Sequence, residues 1–323
     1  MVFFGYRICI YADKIGRITK ISPTFIGLIL LSVVTSLPEL AVAISAVKIG
    51  ALDLALGNLF GSNLFNLTIV AIMLFIFVRQ PKLLTFGSTH LISAGISILL
   101  IALAAVGIIF YNLFNSYISY SSIFLDVETV LILVVYVFGV YLIFRSEKGK
   151  THKLYEPGPA QRKNTLTVWL KFLVCAAILV GFAIYLSRLG DQIARIPVRG
   201  AALGGTFVGG LFIAITTSLP ETAVALSALK LGFLDMALAN IFGSNMFNMT
   251  IISIADLSLG RKVLLSSVAP LHLMTVFFVI ISTALVTSGL VYRSRRKTPA
   301  LAWDSVSILF VYVTANLVTF YLR

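Results

Sequence analysis

Charge is what this sequence has least of. Its 323 residues include 25 Lys or Arg and 12 Asp or Glu. A soluble chain of this length carries about 80 charged residues, at the usual share of about 25%. Hydrophobic residues make up 59% and the mean hydropathy is +1.03. A water-soluble globule has too little interior to hide that much apolar surface, so a soluble multidomain enzyme and a disordered chain are both excluded. Cysteine is also scarce. Cys9 and Cys175 have no CxxC spacing, which removes a disulfide scaffold and leaves two small packing residues. His90, His152 and His272 show no metal-ligand spacing and read as unrepeated. No P-loop, dinucleotide fingerprint or GxSxG occurs, so neither ATP-driven pumping nor an enzyme is indicated.

What remains is a polytopic membrane protein. About 20 apolar residues cross about 30 Å of hydrocarbon. Such stretches fall at 22–47, 53–78, 86–110, 123–144, 166–188, 204–229, 235–255, 263–290 and 301–321. The opening stretch, Met1 to Ala12, is too short to cross alone and is expected to be a half-span or a truncated tenth helix. It has no cleavage pattern of a signal peptide. The hydrophilic segment Arg145 to Asn164 divides the chain. The expected units are an N-terminal transmembrane repeat (1–144), a cytoplasmic linker (145–165) and a C-terminal transmembrane repeat (166–323). The net charge of +13 lies in loops without aromatic interleaving, which points to lipid headgroups and topology rather than nucleic acid. Loops on one side hold 16 basic residues and those on the other hold 8. The richer side is therefore expected to be cytoplasmic, with both chain ends outside.

The chain contains an internal repeat. Thr35 to Ile69 aligns with Thr217 to Ile251 without a gap at an offset of 182, with 25 of 35 positions identical. The start of each half also echoes, as Asp13-Lys-Ile-Gly-Arg-Ile and Asp191-Gln-Ile-Ala-Arg-Ile. Five spans separate the copies when the short first helix is counted, so equivalent residues run through the membrane in opposite senses. The expected fold is all-α, with ten helices, the first one short, in two inverted-topology five-helix repeats. Such repeats place substrate near the midplane, where they meet.

Each copy carries a carboxylate at hydrocarbon depth, Glu39 and Glu221, after Thr-Ser-Leu-Pro. A lone ionised side chain there costs about 2.5–3.5 kcal/mol even on the lowest scales. No basic residue occupies a matching depth, which makes a bound cation the better partner. Pro38 and Pro220 lack an N–H and break the helix, freeing carbonyls beside the hydroxyls of Thr35, Ser36, Thr217 and Ser218. These are hard oxygen ligands, suited to Na+ or Ca2+. The alternative for the hydroxyls is bonding to their own helix. A second element, Gly57 to Asn66 and its copy Ala239 to Asn248, puts Ser62 with Asn66 and Ser244 with Asn248 on one face at i,i+4. Asn58 and Asn240 extend that face, Gly61 and Gly243 allow close packing, and Asn63 and Asn245 point off the line. Asp53 and Asp235 fit helix N-terminus stabilisation better than ion binding.

At these residues the chain resembles the calcium/cation antiporter superfamily, specifically the prokaryotic sodium/calcium exchanger family. The resemblance implies that Glu39 and Glu221 are central Ca2+ ligands supported by Thr35 and Thr217. It implies flanking Na+ sites at Ser36, Ser62, Ser218 and Ser244, with Asn66 and Asn248 in the middle of the cluster. It also implies gating helices at about 1–16 and 166–188. Many members have an Asp at the last motif position of the second repeat, whereas this chain has Asn at both. The implied function is exchange of Ca2+ for Na+ by alternating access, with the transported ions as the only bound metals and no cofactor. The open alternatives are exchange of Ca2+ or another cation for H+ on the same scaffold, a passive cation channel, and a membrane structural protein. A multi-pass protein of a prokaryotic plasma membrane, working as a monomer, is expected.

Overall fold

The computed structural model describes residues 1–77, 87–114, 127–148, 165–194, 209–259, 263–295 and 303–322. The described elements are helical and fall into ten segments. In chain order they are α1 (Val2–Thr19), α2 (Pro23–Lys48), α3 (Leu52–Phe77), α4 (Ser88–Phe114) and α5 (Val127–Glu147). The second set is α6 (Thr165–Ala194), the broken helix α7, α8 (Leu234–Leu259), α9 (His272–Arg295) and α10 (Trp303–Tyr321). α7 consists of a π-helical turn, Gly209–Ile213, followed by Ala214–Thr217 and Leu219–Lys230. Eight helices among the described residues are long and apolar enough to cross a membrane, and nine when the bent pair in α7 counts as one span.

The structure corrects two expected boundaries. α1 does not stop at Ala12. It has 18 residues, about 27 Å at 1.5 Å per residue. Charged residues continue it, because Asp13 and Arg17 sit one turn apart and pair at 2.9 Å. The helix ends where Lys20 turns left-handed at φ 58°. The eighth apolar stretch is expected from 263, but its helix starts only at His272. Its first residues form a partly buried, non-helical segment whose backbone is held at two points by carboxylates. Leu264 N donates to Asp256 at 2.6 Å and Ala269 N donates to Asp53 at 2.8 Å. Irregular backbone is tolerated next to a membrane span where protein groups satisfy it.

The two halves interlock. The first part of α2 packs on α8, and the first part of α7 packs on α3. The crossing of α2 and α8 is close, since a Cβ on Gly243 would collide with the Leu28 carbonyl and one on Gly27 with the Met236 carbonyl. α3 and α8 are the most enclosed spans, with 78% and 89% of their apolar stretch buried. Outer helices present apolar side chains outward, among them Val134, Val137 and Phe138 of α5 and Leu166, Leu170 and Leu173 of α6. Polar side chains are instead gathered inside. They lie within a large apolar core, and a hydrocarbon solvent favours this placing of polar groups away from lipid.

Candidate functional site

The site is built on two helix breaks. α2 is interrupted at Ser36 (φ −89°, ψ 6°) and α7 at Ser218 (φ −86°, ψ 8°). Pro38 and Pro220 then enter the first turn of the following half, where a missing N–H is harmless. Glu39 and Glu221 lie in those same first turns, next to the positive end of a helix dipole, which favours a carboxylate. The break in α7 bends the span by 45°.

Each carboxylate is held by one serine of its own repeat and one of the other. Glu39 Oε1 accepts from Ser62 Oγ at 3.3 Å and from Ser218 Oγ at 3.1 Å. Glu221 Oε1 accepts from Ser244 Oγ at 3.2 Å and from Ser36 Oγ at 3.1 Å. The threonines join the same shell. Thr217 Oγ1 lies 3.3 Å from Ser62 Oγ and donates to Asn58 Oδ1 at 3.1 Å, while Thr35 Oγ1 lies 3.3 Å from Ser244 Oγ and 3.4 Å from Asn240 Oδ1. Both threonine hydroxyls also reach carbonyls of their own helix, Ser32 and Ile213. All ten candidate residues named from the sequence are fully buried: Thr35, Ser36, Glu39, Ser62, Asn66 and their five counterparts.

Four of the buried oxygens have no protein partner: Glu39 Oε2, Glu221 Oε2, Asn66 Oδ1 and Asn248 Oδ1. Two are anionic when ionised and two are neutral carbonyls, a set suited to a hard cation. No Lys or Arg is among the described side chains bonded to either carboxylate. Among the described residues, no group of three or more His, Cys, Asp or Glu could hold a metal, so the acidic complement of this cluster is two.

Packing around the two broken helices is unequal. A cavity of about 460 Å³ lies between the second half of α2 (Val42, Ala46, Ile49), α6 (Ile184, Ser187, Arg188) and Ile213 of α7. On the opposite side α1 packs directly on the second half of α7. Cys9 Sγ donates to the Val224 carbonyl at 3.4 Å, and a Cβ on Gly5 would stand 2.9 Å from the Ala223 carbonyl. By the two repeat alignments Cys9 corresponds to Ser187 and Val224 to Val42. The same pair of positions is in contact on one side and lines a cavity on the other.

These features match a known family. The family model described as "Sodium/calcium exchanger protein" matches residues 1–145 and 167–321. The chain belongs to that family. Over 76 residues it is 40% identical to inner membrane protein YrbG of Escherichia coli (strain K12), covering 24% of this chain and 21% of that one. Over 69 residues it is 32% identical to sodium/potassium/calcium exchanger 2 of Gallus gallus, covering 21% and 11%. The chain thus spans about a fifth or less of the length of these curated relatives. The fold extends much further. The sodium-calcium exchanger NCX_Mj, in a crystal soaked with 10 mM Na+ and zero Ca2+, superposes with a TM-score of 0.66 over 97% of this chain and 93% of that one, at 18% identity. The crystal soaked with zero Na+ and Ca2+ gives 0.65 over 100% and 95%.

Within this exchanger scaffold the structure corrects two readings of the sequence. His90 and His272 are repeated after all, separated by the same 182 residues as the glutamates. Both are buried and each crosses to the other half. His90 Nε2 meets Asp235 Oδ1 at 2.8 Å, and His272 Nε2 meets Asp53 Oδ1 at 3.0 Å. Asp53 and Asp235 do open α3 and α8, but both also tie the repeats together, and Asp53 in addition satisfies the Ala269 backbone. The signal was available: extending the ungapped alignment past Ile69 pairs His90 with His272.

Proposed function

We propose that the chain is a secondary active antiporter that exchanges Ca2+ for Na+ across a membrane by alternating access. The observation that carries the reading is the pair of fully buried glutamates, cross-held by serines of the opposite repeat, each with one unpartnered oxygen. Two such carboxylates have a combined charge of −2, which one Ca2+ or two Na+ neutralise. Both ions need the same oxygens, so they bind in mutual exclusion. Glu39 and Glu221 are the central ligands, with Thr35, Thr217, Asn66 and Asn248 beside them. Ser36, Ser62, Ser218 and Ser244 orient the carboxylates and line the Na+ positions.

The unequal packing of α1 and α6 supports the transport cycle. α1 covers the second half of α7, whereas a cavity lies between α6 and the second half of α2. Ionised carboxylates without a cation repel each other and oppose closure. A bound cation neutralises them, and α1 and α6 then slide to exchange the open side for the sealed one. Residues 1–144 and 166–323 serve as the two transmembrane repeats and 145–165 as a cytoplasmic linker, in a multi-pass protein of a prokaryotic plasma membrane that works as a monomer.

Reconstituted vesicles test this. Radiolabelled Ca2+ uptake is expected to follow an imposed Na+ gradient and to ignore a proton uncoupler. Uptake that follows a proton gradient instead would move the assignment to Ca2+/H+ exchange. Conductance far above carrier turnover would make the protein a channel.

A further inference from the structure

Asn63 and Asn245 are the polar residues of the repeated motif that face away from the ligand line, yet both are fully buried. They sit where α3 and α8 cross. Asn245 Nδ2 donates to the Asn63 backbone carbonyl at 3.3 Å, and Asn63 Nδ2 donates to the Asn245 carbonyl at 3.3 Å. Asn66 Nδ2 donates to Asn245 Oδ1 at 3.0 Å, and Asn248 Nδ2 donates to Asn63 Oδ1 at 2.9 Å. We propose that Asn63 and Asn245 are positioning residues that lock the amides of Asn66 and Asn248 with their carbonyl oxygens toward the ion site. The proposal rests on the exchanger reading above and deepens it.

The direction of each amide follows from one fixed group. A backbone carbonyl only accepts, so Asn245 must present its NH2 to Asn63 and therefore its Oδ1 to Asn66. Asn66 must answer with its own NH2, which turns its Oδ1 the other way. That Oδ1 has no protein partner, and neither has its mirror on Asn248. Flipping either amide sets oxygen against oxygen in a region without solvent, and each such mismatch leaves buried polar atoms unsatisfied. The network runs identically from Asn63 to Asn248.

The lock also fixes the charge of the site. An aspartate at 66 would aim an acceptor at Asn245 Oδ1. Reversing Asn245 would relieve that contact only by opposing two acceptors at the Asn63 carbonyl. An ionised aspartate at 66 or 248 would lack the donor that this crossing uses, and with amides at both positions the site has two carboxylates and two neutral carbonyls. One Ca2+ or two Na+ would balance that charge, and a third Na+ would leave a net positive centre for the carbonyl and amide dipoles to stabilise.

The test compares full-length wild type with the variants N245S, N66D and N66D/N245S. It reads the Ca2+ concentration for half-maximal Na+-driven uptake, and the Ca2+ midpoint of thermal stabilisation in detergent. N245S frees the Asn66 amide to turn and should raise both midpoints about two- to tenfold, the worth of about one hydrogen bond, with maximal uptake retained. N66D should lose more, and the double variant should recover part of that loss, because the serine hydroxyl can donate to the new carboxylate. Unchanged midpoints in N245S, a fall only in the amount of folded protein, or strictly additive losses would overturn the proposal. N245S decides alone if N66D does not fold. The thermal midpoint requires no transport, so wild type that Ca2+ stabilises but Na+ does not drive refutes the exchanger assignment separately.

Discussion

Replacing Glu39 with glutamine removes one of two central charges and almost nothing else. Glutamine is close in shape, and its carbonyl oxygen can still accept from Ser62 and Ser218, which hold Oε1 of the native residue. Breaking a buried ionic pairing by removing one partner costs about 3–5 kcal/mol. That corresponds to about two to four decades in the dissociation constant for Ca2+. In wild type, Ca2+ at about 100 times its Kd adds about 2.7 kcal/mol of stability. The same concentration should add less than about 0.5 kcal/mol to E39Q. In the absence of cations the sign reverses. Two ionised carboxylates buried in one cluster repel each other and lack hydration, so E39Q should melt above wild type in chelator. The assay is thermal unfolding in detergent across a Ca2+ titration, paired with Na+-driven uptake. E221Q should behave the same way, because the two halves surround their glutamates with equivalent partners. Retention of both Ca2+ stabilisation and uptake in E39Q and E221Q would refute the two-carboxylate site.

Other parts of the molecule give further tests. Cys9 is sealed against Val224, so maleimide labelling of this thiol should be slow in the present state and should speed up under ions that favour the opposite one; equal labelling in Na+, Ca2+ and chelator would contradict the sliding of α1. G5V pushes into the Ala223 carbonyl, 2.9 Å from an added Cβ, and should speed Cys9 labelling while lowering uptake. G243A collides with the Leu28 carbonyl and should lower the melting temperature by an amount equivalent to about 1–3 kcal/mol. H90A and H272A each remove a hydrogen bond to a half-exposed aspartate. Each should destabilise by about 1–2 kcal/mol, with similar values for the two; a loss confined to one would break their equivalence.

Much of the site was legible because its chemistry is doubled. Glu39, Ser36, Thr35, Ser62 and Asn66 reappear 182 residues later in a background of exchangeable apolar residues, and polar atoms at that depth must find partners or ions. The spans followed from hydropathy alone. Hydropathy ends the opening stretch at Ala12, whereas α1 runs to Thr19 because Asp13 and Arg17 pair along the next turn. The start of α9 was misjudged because hydropathy is blind to a coil satisfied from afar by Asp53 and Asp256. His90 and His272 escaped notice because the surrounding identity fades after Ile69, leaving two histidines in alignments of little else.

The amino-acid sequence by itself determined that this chain lives in a bilayer, folds as an inverted duplication and carries two acidic side chains at membrane depth, because composition, period and repeat are properties of order along the chain. Only the tertiary structure decided which oxygens share a shell, that each glutamate leans on the other repeat's serine, and that Asn63 and Asn245 set the direction of the central amides. It also decided the asymmetry. Two copies of one motif cannot say which half is closed. The packing of α1 on α7, where the corresponding positions on α6 and α2 line a cavity, breaks that symmetry, because contacts between distant segments and not the repeated motif decide which groove is filled.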